Sequence, residues 1–147
     1  MPLERILVPV DFSEPSAKAL EHAVTLAKSF GAKIDLIHVY RVPVAVTGPY
    51  AEPLPTGYNE GIRKAAQVEL DKWLERVTSA GITGSAHLLE GPPAQEIVRA
   101  AERLKADQIV IGTRGLTGIK HLMLGSVADR TVRLAPCPVT TVPGSGQ

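Results

Sequence analysis

The residues best suited to chemistry lie in a glycine-rich segment, GTRGLTGIKHLMLGS at 112–126. It has the spacing G-x2-G-x9-G-S, formed by Gly112, Gly115, Gly125 and Ser126. Glycine permits positive φ angles and lets backbone N–H groups come close to an anion. A helix that starts at the last pair would add its first amides and its dipole, which favour a phosphate. The segment therefore predicts a phosphate-binding loop, and a simple turn before an ordinary helix start is the alternative.

Basic side chains inside the same segment strengthen the phosphate interpretation. Arg114, Lys120 and His121 would bring positive charge to a bound phosphate. Two better-known phosphate motifs are absent from the sequence, since there is no G-x4-G-K-[ST] and no G-x-G-x-x-G after the first strand-like run. The sequence thus argues against a P-loop and a dinucleotide site, and it favours a nucleotide site of another type.

Strand-like and helix-like segments alternate along the chain and would position this loop. The strand-like runs are 5–10, 33–39, 82–89, 108–112 and 138–142, and the first, second and fourth are almost wholly apolar, as buried parallel strands are. With right-handed crossovers, the alternation predicts an open, mostly parallel five-stranded α/β sheet between two layers of helices. Ligands of such sheets bind at the carboxyl ends of the strands, where the strand order reverses.

Four helices are predicted from apolar stripes and from residues that start or stop helices. The first runs from about Ser13 and stops at Gly31, the second stops at Gly81, the third begins at Pro92–Pro93, and the fourth takes Ser126 as its N-cap. The buried stripes are expected to be Leu20, Val24, Ala27 and Phe30; Ala66, Leu70, Trp73 and Val77; Ile97, Ala101 and Leu104; and Val127, Thr131 and Leu134.

Length and composition indicate one soluble domain over 1–147. Sixteen basic and fifteen acidic residues leave a net charge of +1, which disfavours a nucleic-acid partner. We expect no signal peptide and no membrane segment, hence a cytoplasmic protein, and the single Cys137 allows no intrachain disulfide. Residues 41–58 hold four of the twelve prolines and are expected to form a crossover loop.

A few single residues have a functional and a structural interpretation. Asp11, directly after the first strand, would accept a hydrogen bond from a ribose hydroxyl or act as an indirect metal ligand; the alternative is a helix cap together with Ser13. The four histidines show no metal-ligand spacing, so structural roles are expected for His22, His38 and His87. Cys137 is interpreted as a small buried residue and not as a nucleophile.

Four sequence segments together resemble the universal stress protein family. They are ILVPVDFS at 6–13, IGTRG at 111–115, LGSVAD at 124–129 and CPVTTV at 137–142, and the resemblance extends over essentially the whole chain. The glycine spacing is similar to that of the ATP-binding branch of the family. The resemblance implies an adenine nucleotide alpha-hydrolase-like three-layer sandwich with strand order 3-2-1-4-5.

The same resemblance implies a nucleotide site that holds ATP, or ADP or AMP, with Mg²⁺ bridging the phosphates. The implied residues are Pro9, Val10 and Asp11 beside the adenine and ribose; Val39 against the base; Ile111, Gly112, Arg114 and Gly115 around the ribose and first phosphates; and Gly125, Ser126 and Val127 at the outer phosphates. Val10 stands where ATP-binding relatives often carry Thr, so its contact would be made through the backbone.

The function implied is that of a nucleotide-binding regulatory protein that forms a homodimer through its last strand. That strand lies between Pro138 and Pro143, as expected of a short edge strand. No motif supplies the base that phosphoryl transfer requires, so we expect a protein that is not an efficient enzyme. Two alternatives remain open: an ATP-consuming hydrolase or adenylyl transferase, and a nucleotide-free dimerisation module.

Overall fold

Strands and helices alternate strictly in a computed structural model, which describes residues 2–42, 49, 57–113 and 124–144. The elements are β1 (Arg5–Pro9), α1 (Glu14–Phe30), β2 (Lys33–Tyr40), α2 (Tyr58–Ser79), β3 (Gly84–Glu90), α3 (Pro93–Leu104), β4 (Gln108–Gly112), α4 (Ser126–Leu134) and β5 (Val139–Val142). Within these described residues, no helix is long and apolar enough to cross a membrane.

All five strands form one parallel sheet in the order β3-β2-β1-β4-β5. The fold class and the strand order implied by the resemblance are confirmed, and the sheet is wholly parallel where a mostly parallel one was predicted. The strand order reverses between β1 and β4. After β1, the chain forms β2 and β3 on one side of β1, and it then forms β4 and β5 on the other side. The carboxyl ends of β1 and β4 therefore lie side by side.

Alternate residues of the strands pack into two apolar cores on opposite faces of the sheet. Ile6 and Val8 of β1 pack with α1 and α2, whereas Leu7 packs with α3 and α4. All three side chains are fully buried, and each such burial contributes about 1.5–3 kcal/mol. The nearly continuous apolar runs seen in the sequence thus reflect strands that are covered on both faces.

Three predicted helix boundaries are confirmed at the level of single residues. Ser13 caps α1, and its side chain accepts a hydrogen bond from the backbone N–H of Ser16. Gly31 ends α1 in the left-handed conformation with φ 70°, which glycine adopts without a steric penalty. Pro93 occupies the first turn of α3, where its missing N–H costs no helical hydrogen bond.

Two predicted core residues and one predicted strand boundary are wrong. Phe30 and Leu134 are 62% and 59% exposed instead of buried. Each is the last residue of its helix and lies past the last buried residue, which is Ala27 in α1 and Thr131 in α4. The third strand begins at Gly84 and not at 82, because the Ile82 N–H donates to the Val77 carbonyl and still belongs to the end of α2.

A buried charge within the apolar β2 was not predicted. Asp35 is 3% exposed and accepts hydrogen bonds on both carboxylate oxygens. The Arg5 Nε lies 3.1 Å from Oδ2, and the His87 Nε2 lies 3.2 Å from Oδ1. A buried carboxylate requires such partners, so this cluster connects β1, β2 and β3 at the start of the sheet.

We expect Asp35→Ala to lower the free energy of unfolding by about 2–3 kcal/mol, because it leaves the half-buried Arg5 without its carboxylate. The matched control is Glu21→Ala, which removes the exposed pair with Lys18 and should cost no more than about 0.5 kcal/mol. Urea unfolding at neutral pH measures both values. Equal losses in the two variants would show that the Asp35 cluster is not a stabilising feature.

Candidate functional site

A cleft of about 270 Å³ opens at the carboxyl ends of β1, β2 and β4. The starts of α1, α3 and α4 close its sides. Its lining residues are Pro9, Val10, Asp11, Ser13, Pro15, Ser16, Ile37, Val39, Pro93, Ile97, Ile111, Gly112, Thr113, Gly125, Ser126, Val127 and Ala128. The cleft thus lies where the strand order reverses, as ligand sites of open parallel sheets do.

The structure brings nine of the predicted site residues together in this cleft. They are Pro9, Val10, Asp11, Val39, Ile111, Gly112, Gly125, Ser126 and Val127. The other two, Arg114 and Gly115, lie outside the described residues, as do Lys120 and His121. Four segments that are distant in sequence therefore converge on a single cavity.

The cleft combines an apolar wall with a polar rim. Val39, Ile97 and Ile111 contribute the apolar surface, and Asp11 and Ser126 contribute oxygens. Such a combination is typical of sites that hold a flat apolar group and orient it through a few polar contacts. Ile97 was predicted as a core residue of α3 and not as part of a site, since the sequence alone does not place the start of α3 beside the cleft.

Asp11 participates in the cap of α1. Its Oδ1 accepts hydrogen bonds from the Ser13 hydroxyl and, at 3.0 Å, from the Ser13 N–H, while the Ser13 hydroxyl accepts from the Ser16 N–H. The structural alternative given for Asp11 is therefore observed. Because Asp11 also lines the cleft, its capping contacts hold the carboxylate in place at the entrance, and the two interpretations are compatible.

An aromatic cluster fixes the turn between β1 and α1. Phe12 has φ 67°, an unfavourable backbone conformation for a bulky residue. Its ring stacks on His38 with centroids 4.3 Å apart and meets Trp73 edge-on at 5.5 Å. The His38 Nδ1 lies 2.7 Å from the Val10 carbonyl, which can only accept, so Nδ1 carries the proton. Packing on the α1/α2 face thus holds the strained turn beside the cleft.

Both backbone groups of Val10 are engaged inside the protein. Its N–H donates to the Ile37 carbonyl at 2.7 Å, and its carbonyl accepts from His38. A ligand contact through the Val10 backbone is therefore restricted to the remaining lone pair of the carbonyl. The backbone contact expected at this position stays a prediction, and it is confined to that lone pair because the end of β1 is still hydrogen-bonded to β2.

Gly112 permits a close approach between β4 and α1. A Cβ at this position would lie 2.5 Å from the carbonyl carbon and oxygen of Pro15 and 2.8 Å from the Ser16 nitrogen. These are backbone atoms that cannot rotate away. The glycine predicted to approach an anion is thus required first of all for packing between two elements of the protein.

The start of α4 differs from the prediction by one residue. Gly125 is the N-cap and Ser126 is the first helical residue, so the N-cap itself brings no capping side chain. The first backbone hydrogen bond of the helix runs from the Asp129 N–H to the Gly125 carbonyl. The amides of Ser126, Val127 and Ala128 consequently have no partner within the helix, and they belong to residues that line the cleft.

His22, His87 and Cys137 lie outside the cleft. His22 is exposed on α1, and His87 contacts Asp35. Burial raises the pKa of the Cys137 thiol, and the nearby Asp107 carboxylate raises it further, so the reactive thiolate is disfavoured. Among the described residues, no group of three His, Cys, Asp or Glu side chains could hold a metal ion.

Comparison with known proteins identifies the family. Residues 2–143 match the universal stress protein family. The chain belongs to this family. A universal stress protein of Methanocaldococcus jannaschii is 40% identical over 139 residues, which cover 95% of this chain and 81% of that protein.

Two solved universal stress proteins share the fold. A family member from Burkholderia pseudomallei is 29% identical with a TM-score of 0.77, and 97% of each chain is covered. The universal stress protein from Archaeoglobus fulgidus in complex with dAMP is 26% identical with a TM-score of 0.67, covering 97% of this chain and 99% of the other.

Gly112→Ala is expected to lower the free energy of unfolding by about 1–3 kcal/mol, because the added methyl group overlaps backbone atoms of Pro15. Gly61→Ala, in α2 with open space around the glycine, should instead be neutral or raise it by up to about 1 kcal/mol. Chemical denaturation of the two variants measures the difference. If Gly112→Ala were as stable as the parent protein, the close approach of β4 to α1 would be incorrect.

Proposed function

We propose that this universal stress protein binds an adenine nucleotide, ATP or its products ADP and AMP, and acts as a cytoplasmic stress-response regulator. The observation that carries the proposal is the convergence of nine predicted residues, from four separate segments, on one cleft. The dAMP complex of the Archaeoglobus relative, which belongs to the same family, supports an adenine nucleotide as the ligand.

The proposed ligand would use both parts of the cleft. The adenine ring would pack against Val39 and the neighbouring Ile97 and Ile111, and the ribose hydroxyls would donate to Asp11. The phosphates would lie at the start of α4, where the amides after Gly125 and the Ser126 hydroxyl can donate to them. Mg²⁺ would bridge the phosphates and keep most of its water ligands, with Asp11 as an indirect partner.

We propose a regulatory role and not efficient catalysis. Phosphoryl transfer to water needs a group that positions or deprotonates the water. Among the described residues of the cleft, Asp11 is the one carboxylate, and its Oδ1 already accepts two hydrogen bonds from Ser13. Any hydrolysis of ATP should therefore be slow, and nucleotide occupancy itself would be the signal.

Ser126→Ala should weaken the binding of Mg²⁺-ATP about 5- to 10-fold, because a hydroxyl that donates to a charged phosphate contributes roughly 1–2 kcal/mol. The control is Ser85→Ala, an exposed serine at the opposite end of the sheet, which should change the affinity less than about 2-fold. Isothermal titration calorimetry measures both dissociation constants.

Three results would count against this function. Failure of the parent protein to bind any adenine nucleotide would leave the dimerisation module as the better interpretation. Rapid turnover of ATP would favour the enzyme interpretation. Equal affinities for the parent protein and Ser126→Ala would remove the start of α4 from the proposed phosphate contacts.

We also propose a homodimer formed through the outer edge of β5. The Pro138 carbonyl accepts a hydrogen bond from Ile109 of β4, and the Val142 carbonyl accepts one from Thr113, directly after β4. The backbone groups of Val139 and Thr141 therefore point away from the sheet. An edge with outward N–H and carbonyl groups pairs readily with a second strand. The four residues of β5 are partly exposed, which leaves them accessible to a second copy.

Thr141→Pro should convert the dimer into a monomer, because proline removes one outward N–H and leaves the β4 hydrogen bonds of the neighbouring residues in place. Thr141→Val keeps that N–H and should remain dimeric. Sedimentation velocity gives the oligomeric state, and circular dichroism confirms that both variants fold. A folded Thr141→Pro dimer would place the interface elsewhere.

A further inference from the structure

A second cavity adjoins the cleft at the start of α4. It has a volume of about 270 Å³, and we call it the arginine cavity after two of its lining residues, Arg41 and Arg130. Pro93, Ser126 and Val127 line both the arginine cavity and the cleft. The first turn of α4 is thus a wall common to the two spaces, and a group bound against Ser126 would lie next to the arginine cavity.

The two arginines come from separate parts of the fold. Arg41 directly follows β2, and Arg130 lies on the second turn of α4. Neither makes an ion pair or hydrogen bond with the residues that the structure describes, whereas Arg5, Arg99 and Arg133 each pair with a carboxylate.

The arginine cavity has the charge expected of an anion site. No acidic residue is among its described lining residues, which are Arg41, Pro92, Pro93, Ala94, Gln95, Ser126, Val127, Arg130 and Leu134. Two cationic side chains that line one cavity favour an anion between them. Guanidinium groups are also the side chains best suited to bind phosphate oxygens in a bidentate manner.

We propose that Arg41 and Arg130 form an anion subsite that receives the terminal phosphate of a nucleoside triphosphate. The inference rests on the proposed function, because it takes the outer phosphates to lie at the start of α4, whose first turn also lines the arginine cavity. A monophosphate ends earlier, beside Gly112, and does not reach the arginine cavity. A triphosphate extends further, so the two arginines would make the site prefer ATP to AMP.

The test is the ratio of ATP to AMP affinity, measured by isothermal titration calorimetry with Mg²⁺ present. Arg130→Gln should weaken ATP binding about 5- to 10-fold and AMP binding less than about 2-fold, since only the longer phosphate chain meets the lost charge. Arg41→Gln should act in the same direction. Arg133→Gln is the matched control on the same helix, and it should leave the ratio unchanged because Arg133 pairs with Asp129.

A conservative variant separates charge from shape. Arg130→Lys keeps the charge without the bidentate geometry and should restore part of the preference for ATP. An unchanged ratio in both glutamine variants would overturn the subsite. So would an equal loss of ATP and AMP affinity, which would mean that Arg130 acts on the shape of α4 or on the first phosphate.

Failure of the proposed function has a different signature. In that case the parent protein itself binds neither ATP nor AMP, and the subsite falls together with the nucleotide site. If instead the parent protein binds both nucleotides and the arginine variants leave the ratio of ATP to AMP affinity unchanged, the nucleotide site is retained and the subsite alone is wrong.

Discussion

The pairing of β1 between β2 and β4 determines the position of everything at the candidate site. From the end of β1 the chain enters α1 on one face of the sheet, and after β4 it continues to α4 on the other. Because these two connections diverge, they leave a crevice over the carboxyl ends of the strands. The amides at the start of α4, which have no partner within the helix, and the carboxylate of Asp11 belong to residues that line this crevice. A single reversal of strand order thus creates a site with an apolar wall and polar ends.

Packing within the protein holds the walls of the crevice in place. Gly112 lets the end of β4 lie against the backbone of Pro15, which fixes the distance between β4 and α1. On the same face of the sheet as α1, the Phe12 ring stacks on His38 and holds a turn with an unfavourable φ angle. Strain of this kind costs about 1–3 kcal/mol and persists only where the surroundings enforce it. A preformed site reduces the entropy that binding must overcome.

The helix boundaries could be predicted from residues that are close in sequence. Features that depend on contacts between residues distant in sequence could not. Ser13, Gly31 and Pro93 act within one helical turn, so sequence spacing was enough to locate them. The pairing of Asp35 with Arg5 and His87 spans 30 and 52 residues, and no periodicity signals it. The role of Gly112 depends on Pro15 of α1, about two thirds of the chain length away in sequence. The cleft residues were found through family motifs, whereas Arg41 and Arg130 belong to no motif and meet only in the folded chain.

The most direct test of the account is to purify the protein gently, denature it, and identify the released small molecules by mass spectrometry. We expect an adenine nucleotide in an amount comparable to that of the protein, because the cleft combines an apolar wall with polar groups suited to ribose and phosphate. A protein that releases no nucleotide, and that also fails to take up added ATP with Mg²⁺, would contradict the assignment of the cleft as a nucleotide site.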